Sequence, residues 1–149
     1  MSDDLFDITL AEHFPGVDDY RRLRREAGLS SRTAVAASRG LANTLYGVSL
    51  SHSGEVVGMG RIIGDGGCFY TIVDIAVVPR WQKRGLGKRI LDALHRWLQT
   101  NAEPSAYVNL VADGDARHLY RKYGFFESAP HSINMAYSVP APPADLRKL

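Results

Sequence analysis

The chain has 149 residues, with 18 lysines and arginines against 16 aspartates and glutamates, and a single cysteine. That length can bury a core without staples, the balanced charge argues against nucleic acid as the main partner, and one cysteine excludes an internal disulfide or a cysteine-rich metal site. No apolar run nears the roughly 20 residues of a membrane span, and the acidic start Ser2-Asp3-Asp4 is unlike a signal peptide, so the expectation is one cytoplasmic domain, residues 1–139, before a proline-rich, disordered tail, 140–149.

Residues 5–10 alternate weakly and read as an opening strand. Two helices follow at about 17–27 and 32–41; Gly28 stops the first, and Ser30 or Ser31 can cap the second. The arginine-rich run 21–25 reads as a solvated helix face around buried Tyr20 and Leu23. Residues 45–52 and 55–63 alternate as strands joined at Ser53-Gly54, and Asp65-Gly66-Gly67 turns the chain into a third strand, 68–78. The clearest helix is 87–98, with Ile90, Leu91, Leu94, Trp97 and Leu98 in one apolar stripe. A helical crossover makes the next strand, 106–111, parallel to the one ending at Val78. A short helix at 116–123 stops at Gly124, and 125–127 and 133–139 are expected to close the sheet.

The most informative segment runs from Val77 to Lys88. An apolar strand enters a basic loop that contains Gly85 and Gly87, and a helix begins at once. The first N–H groups of a helix lack internal partners, and its dipole adds positive charge there; Lys83, Arg84 and Lys88 add more. A phosphate or pyrophosphate belongs at such a place. A P-loop is excluded because Gly87-Lys88 is followed by Arg89, and the dinucleotide fingerprint because position 90 is Ile.

What remains, Gln82-x-x-Gly85-x-Gly87 between strand and helix, resembles the acetyl-CoA pyrophosphate loop of the GNAT family of N-acetyltransferases. A second motif follows in the family's order: Leu119-Tyr120-x-x-x-Gly124-Phe125 is similar to its Tyr helix and Gly-Phe turn. The resemblance covers roughly 55–137, and Gly60 to Gly67 with Val73 to Val77 looks like the bacterial aralkylamine-type members. It implies an α/β fold with a mixed, mostly antiparallel sheet, a central parallel pair and helices on both faces. It also implies acetyl transfer from acetyl-CoA to an amine in a ternary complex. The acceptor is then a small primary amine, with a protein N-terminus or lysine as the alternative; a non-catalytic acyl-CoA-binding module is the rival, and a homodimer is left open.

The resemblance also distributes roles. The backbone N–H of Val77 faces the thioester carbonyl, Ile75, Ala76 and Val77 receive the pantetheine arm along a bulged strand, and Gln82, Lys83, Arg84, Gly85, Leu86, Gly87 and Lys88 hold the pyrophosphate. Tyr120 occupies the position of the acid that meets the leaving thiolate. The strand on which many relatives carry a glutamate has Val108 and Asn109 here, so Asp74 is the available base. A carboxylate in so apolar a run can equally be structural, paired with Arg61 or a backbone amide. Asp113 either caps the following helix or contacts the pantetheine. Arg61, Asp65 and Tyr70 are candidates for substrate contact, with surface salt bridging as the alternative, and His131 and Met135 are candidates for lining the pocket. No metal is expected.

Overall fold

The computed structural model describes residues 7–140, so Leu5, Phe6 and residues 141–149 of the expected tail lie outside it. Two compact units divide between Leu110 and Val111. The first contains β1 (Ile8–Ala11), α1 (Val17–Glu26), α2 (Ala34–Leu41), β2 (Tyr46–His52), β3 (Glu55–Gly64), β4 (Phe69–Val77), a 3₁₀ turn (Pro79–Trp81), α3 (Leu86–Asn101) and β5 (Tyr107–Asn109). The strands form one sheet in chain order. Neighbours β1 to β4 pair antiparallel, and β4 pairs parallel with β5.

Turn chemistry sets this order. Ser53 and Gly54 both have positive φ, as a two-residue hairpin turn requires to match strand twist. At the next turn one oxygen of Asp65 accepts the N–H groups of Gly67, Cys68 and Phe69 at 2.8, 2.8 and 3.0 Å. Those bonds hold the Asp65 carboxyl below its ordinary pKa, so this side chain fixes a hairpin. The crossover through α3 then returns the chain as a parallel neighbour, which a hairpin cannot do.

The apolar stripe of α3, with Leu86, Ile90, Leu91, Leu94 and Leu98 buried, covers one face of the sheet. Trp97 sits half-buried at its margin, stacked on Tyr46 with ring centres 5.3 Å apart. Gly60 on β3 lets the helix come this close: a Cβ there would lie 2.5 Å from Cγ2 of Ile90. Arg61, next along β3, turns to the other face, where α1 and α2 pack. Helix α2 starts two residues later than expected, because Thr33 caps it by accepting the Ala36 N–H at 3.1 Å. Ser30 and Ser31 are instead engaged by the guanidinium groups of Arg24 and Arg32.

The second unit holds α4 (Ala116–Arg121), and the chain leaves it through Gly124 at φ +93°. The strands expected at 125–127 and 133–139 are not formed. Glu127 is tied back to Arg121 and Arg117 of α4, and around Pro130 the Ser132 N–H closes a local turn on the Ser128 carbonyl at 3.0 Å. Alternation shows that a segment can serve as a strand; a ladder partner makes it one.

Gly60→Ala should destabilise the fold by about 1–3 kcal/mol, since Ile90 is fully buried and must move. Urea unfolding against the parent chain checks this.

Candidate active site

The register between β3 and β4 slips in one place. Met59 pairs with Ala76 and Arg61 with Val73, so Asp74 and Ile75 stand opposite Gly60 alone. This is a β-bulge, and Asp74 takes the left-handed conformation at φ +60°. Aspartate tolerates that region better than most residues. The parallel ladder to β5 ends at Thr71 and Asn109, whose side chains are bonded at 2.7 Å. Beyond that point, among the described residues, β4 has no strand on its β5 side as far as Val77.

That free edge presents main-chain groups in a definite direction. Val78 N–H donates to the Val57 carbonyl at 2.9 Å, which makes the preceding pair, Gly58 with Val77, non-hydrogen-bonded. In such a pair both main-chain groups point away from the partner strand. The Val77 carbonyl accepts the Gln82 side-chain amide at 2.8 Å, and the Val77 N–H is left facing the free edge. The structure therefore brings two of the residues named from sequence, Val77 and Gln82, into direct contact.

The loop behind is built on conformation. Lys83 and Gly85 have φ of +62° and +81°, and Gly85 is the N-cap of α3 with no side-chain cap bond. Leu86 anchors the helix start in the core. A Cβ on Gly87 would meet nothing within 4 Å, so packing does not demand glycine there; close approach by a ligand would. The Arg84 guanidinium lies 4.8 Å from the centre of the Trp81 ring, and Lys88 pairs with Asp92 at 3.1 Å. A helix start with no side chain capping its N–H groups, flanked by cations, suits a diphosphate.

Asp74 does not stand free on this edge. Its side chain is 6% exposed and receives Arg24 at 2.5 Å, Arg61 at 2.7 Å and the Tyr20 hydroxyl at 3.1 Å. The pairing with Arg61 held open from sequence is the one observed; the alternative, a carboxylate receiving the amine proton, meets an acid whose two oxygens are already engaged. Arg24 corrects the reading of 21–25 as a solvated face, since it is only 7% exposed. The buried carboxylate across from α1 draws it in, and its spacing from Tyr20 and Leu23 on one helical stripe was the available signal. Burial, and then the Asp74 charge, raise the pKa of the Tyr20 phenol. Tyr70 is also buried, packed edge-on against Trp97, so the candidates Arg61, Asp65 and Tyr70 all have structural partners.

In the second unit, Tyr120 on α4 is half-buried, with its ring edge-on to Phe125 at 6.2 Å. Burial, helped by the Asp113 charge, raises its pKa, so the phenol keeps its proton throughout the neutral range. Asp115 holds the N-cap position without a side-chain bond, and Asp113 contributes its carbonyl to the Ala116 N–H, so neither carboxylate caps the helix as expected. His131 and Met135 lie in the segment that forms no strand.

A family model described as an acetyltransferase (GNAT) domain matches residues 42–127, more than half of the chain. The chain belongs to the GNAT acetyltransferase family. The Staphylococcus aureus protein SA2161, itself of unknown function, is 38% identical and superposes with a TM-score of 0.84 over 88% of this chain and 98% of that one. The histone acetyltransferase TAP1 of Glycine max is 30% identical over 75% of this chain and 50% of its own length. The uncharacterized N-acetyltransferase ycf52 of Porphyra purpurea is 37% identical over 50% of this chain and 42% of its own. The chain thus spans about half the length of the curated relatives it matches. Strands β2 to β5, with the bulge in β4, and the loop leading into α3 fall inside the matched segment. Among the described residues no helix is long and apolar enough to cross a membrane.

Gly87→Val, which the open space around Gly87 allows the fold to accept, should weaken acetyl-CoA binding by roughly tenfold or more by blocking approach to the N–H groups of α3. Calorimetric titration with acetyl-CoA, with the thermal midpoint as control, measures it.

Proposed function

We propose that the chain, over residues 1–139, is an acetyltransferase domain that moves the acetyl group of acetyl-CoA directly to a small primary amine, both substrates being bound together. The Val77 N–H, aimed out of the free edge of β4 beside the start of α3, carries this reading. The thioester supplies the activated acyl group. Ile75 and Val77 hydrogen-bond the pantetheine arm as an added strand would, with apolar Ala76 between them. Residues Gln82 to Lys88 hold the diphosphate, and the Val77 N–H stabilises the charge that develops on the carbonyl oxygen. Asp113 is kept as a further contact to the arm.

Two proton movements complete the chemistry. Tyr120, by its place in the motif, protonates or hydrogen-bonds the departing sulfur; its raised pKa means that it arrives with the proton in place. An alkylamine with a pKa near 10.4 must first lose a proton, at a cost of about 4–5 kcal/mol at pH 7. We assign that step to water rather than to Asp74, whose oxygens are engaged by Arg24, Arg61 and Tyr20. Cys68, exposed at the end of a hairpin, is not used as a nucleophile.

Protein lysine is the second reading of the acceptor, and the Glycine max relative named a histone acetyltransferase favours it. Release of free thiol from acetyl-CoA, measured over a panel of alkyl and arylalkyl amines and of lysine-containing peptides, separates the two. Turnover with small amines alone is expected; turnover with peptides alone would reassign the acceptor, and none with any amine despite tight coenzyme binding would favour a non-catalytic module. Tyr120→Phe should lower kcat by roughly a hundredfold while leaving acetyl-CoA affinity within about twofold. Unchanged kcat would remove Tyr120 from the mechanism.

A further inference from the structure

We infer that Arg24, Arg61 and Tyr20 are positioning residues for acetyl-CoA binding: by clamping the Asp74 carboxylate they hold the left-handed bulge that sets the direction of the Ile75 and Val77 main-chain groups. The inference rests on the reading that the coenzyme arm lies along the free edge of β4. It adds to that reading a device on the opposite face of the sheet from α3, made of residues that act through Asp74.

The geometry argues for a clamp in three steps. First, the bulge inserts one residue into β4, so every residue after it is displaced by one position relative to β3. Without the insertion, Val77 would trade places with a neighbour, and its N–H would turn into the β3 ladder instead of outward. Second, the bulge depends on a non-glycine residue at φ +60°, a conformation the surroundings must enforce. On the α3 side the missing side chain of Gly60 leaves room that Ile90, Leu94 and Ile75 fill, and no polar group there reaches Asp74. Third, the hold comes from the other side. Tyr20 and Arg24 reach one oxygen of Asp74 from α1, and Arg61 Nε reaches the other from β3.

The arginines are themselves braced. Arg24 donates to the Ser30 carbonyl at 2.7 Å and to the Ser30 hydroxyl at 3.0 Å. Arg61 donates to the Thr44 hydroxyl at 3.1 Å and to the Gly40 carbonyl at 3.3 Å, and lies over the Phe14 and Tyr20 rings. The connection from α1 to α2, the end of α2 and the bulge thus share one hydrogen-bonded cluster, and a change in any of them moves the edge of β4.

Two variants test this. Arg24→Met removes one arm yet leaves Asp74 paired with Arg61, so the cluster loses its surplus positive charge and the chain should fold. Asp74→Asn keeps a residue that tolerates positive φ and can accept hydrogen bonds, but cannot serve as a base. The expected results are acetyl-CoA affinity about tenfold weaker in Arg24→Met, by calorimetry, with faster amide hydrogen exchange confined to Ala76 and Val78, whose amides lie in the ladder after the bulge. In Asp74→Asn the acidic limb of the pH–rate profile should persist. A purely structural role would speed exchange across β2 and α3 as well, and would overturn the proposal. Coenzyme affinity within twofold of the parent in Arg24→Met, with the fold retained, would also overturn it. Loss of the acidic limb in Asp74→Asn would return Asp74 to the role of base and do the same. If the parent chain binds no acetyl-CoA, the underlying functional reading fails; if Gly87→Val abolishes binding while Arg24→Met is silent, only the clamp fails.

Discussion

One extra residue in β4 governs the architecture of the site. Because Asp74 and Ile75 share the single partner Gly60, the strand changes phase midway, and the N–H of Val77 emerges at an edge where β5 has already ended. The two faces of the sheet meet the bulge differently. On the α3 side the missing side chain of Gly60 admits Ile90, and on the opposite side a carboxylate is fixed by two guanidinium groups and a phenol. In a regular, uninterrupted strand the outward amide would belong to a neighbour and that of Val77 would enter the β3 ladder.

The composition of the holding cluster bears on why it is charged. A buried ion pair is weak evidence for stability, since desolvating its members offsets most of their attraction, and apolar replacements of similar shape often do as well. Breaking one by removing a single partner is different, costing on the order of 3–5 kcal/mol because an uncompensated charge remains. Such a cluster contributes little net stability but strongly penalises alternative registers: any slip of β4 would leave Arg24 and Arg61 buried without the carboxylate. Specificity of register, rather than stability, is the benefit that fits the proposed role of the Val77 N–H, which needs one direction.

Much of this was legible in the residues, and what was missed has a common cause. Hairpin turns at Ser53-Gly54 and Asp65-Gly66-Gly67, the stripe of α3 and the parallel return of β5 all follow from local chemistry and were read correctly. The glycine loop stands at a helix start, as the sequence implies, and the bond from Gln82 to the Val77 carbonyl ties it back to the strand that enters it. Arg24 was misjudged because its burial depends on a carboxylate fifty residues away, and a run of arginines looks solvated until the partner is known. Residues 133–139 failed for the complementary reason, since alternation was present but a ladder was not. Long-range pairing, of charges or of strands, is what a single sequence withholds.

The division of labour between main chain and side chains explains why the family is easy to recognise here and the acceptor is not. The groups assigned to the coenzyme are backbone amides, positioned by a bulge, a left-handed glycine and a helix start, so they impose glycine and apolar residues at fixed spacing and leave a readable motif. Acceptor recognition rests on side chains, which can vary without altering the fold. The clamp lies at the junction of these two systems. It ties the strand that presents the coenzyme edge to Tyr20 and Arg24 of α1 and, through Ser30, to the connection leading into α2. On the proposed reading, sequence variation along that connection alters catalysis without touching a reacting atom, because its effect passes through Asp74 to the direction of one amide.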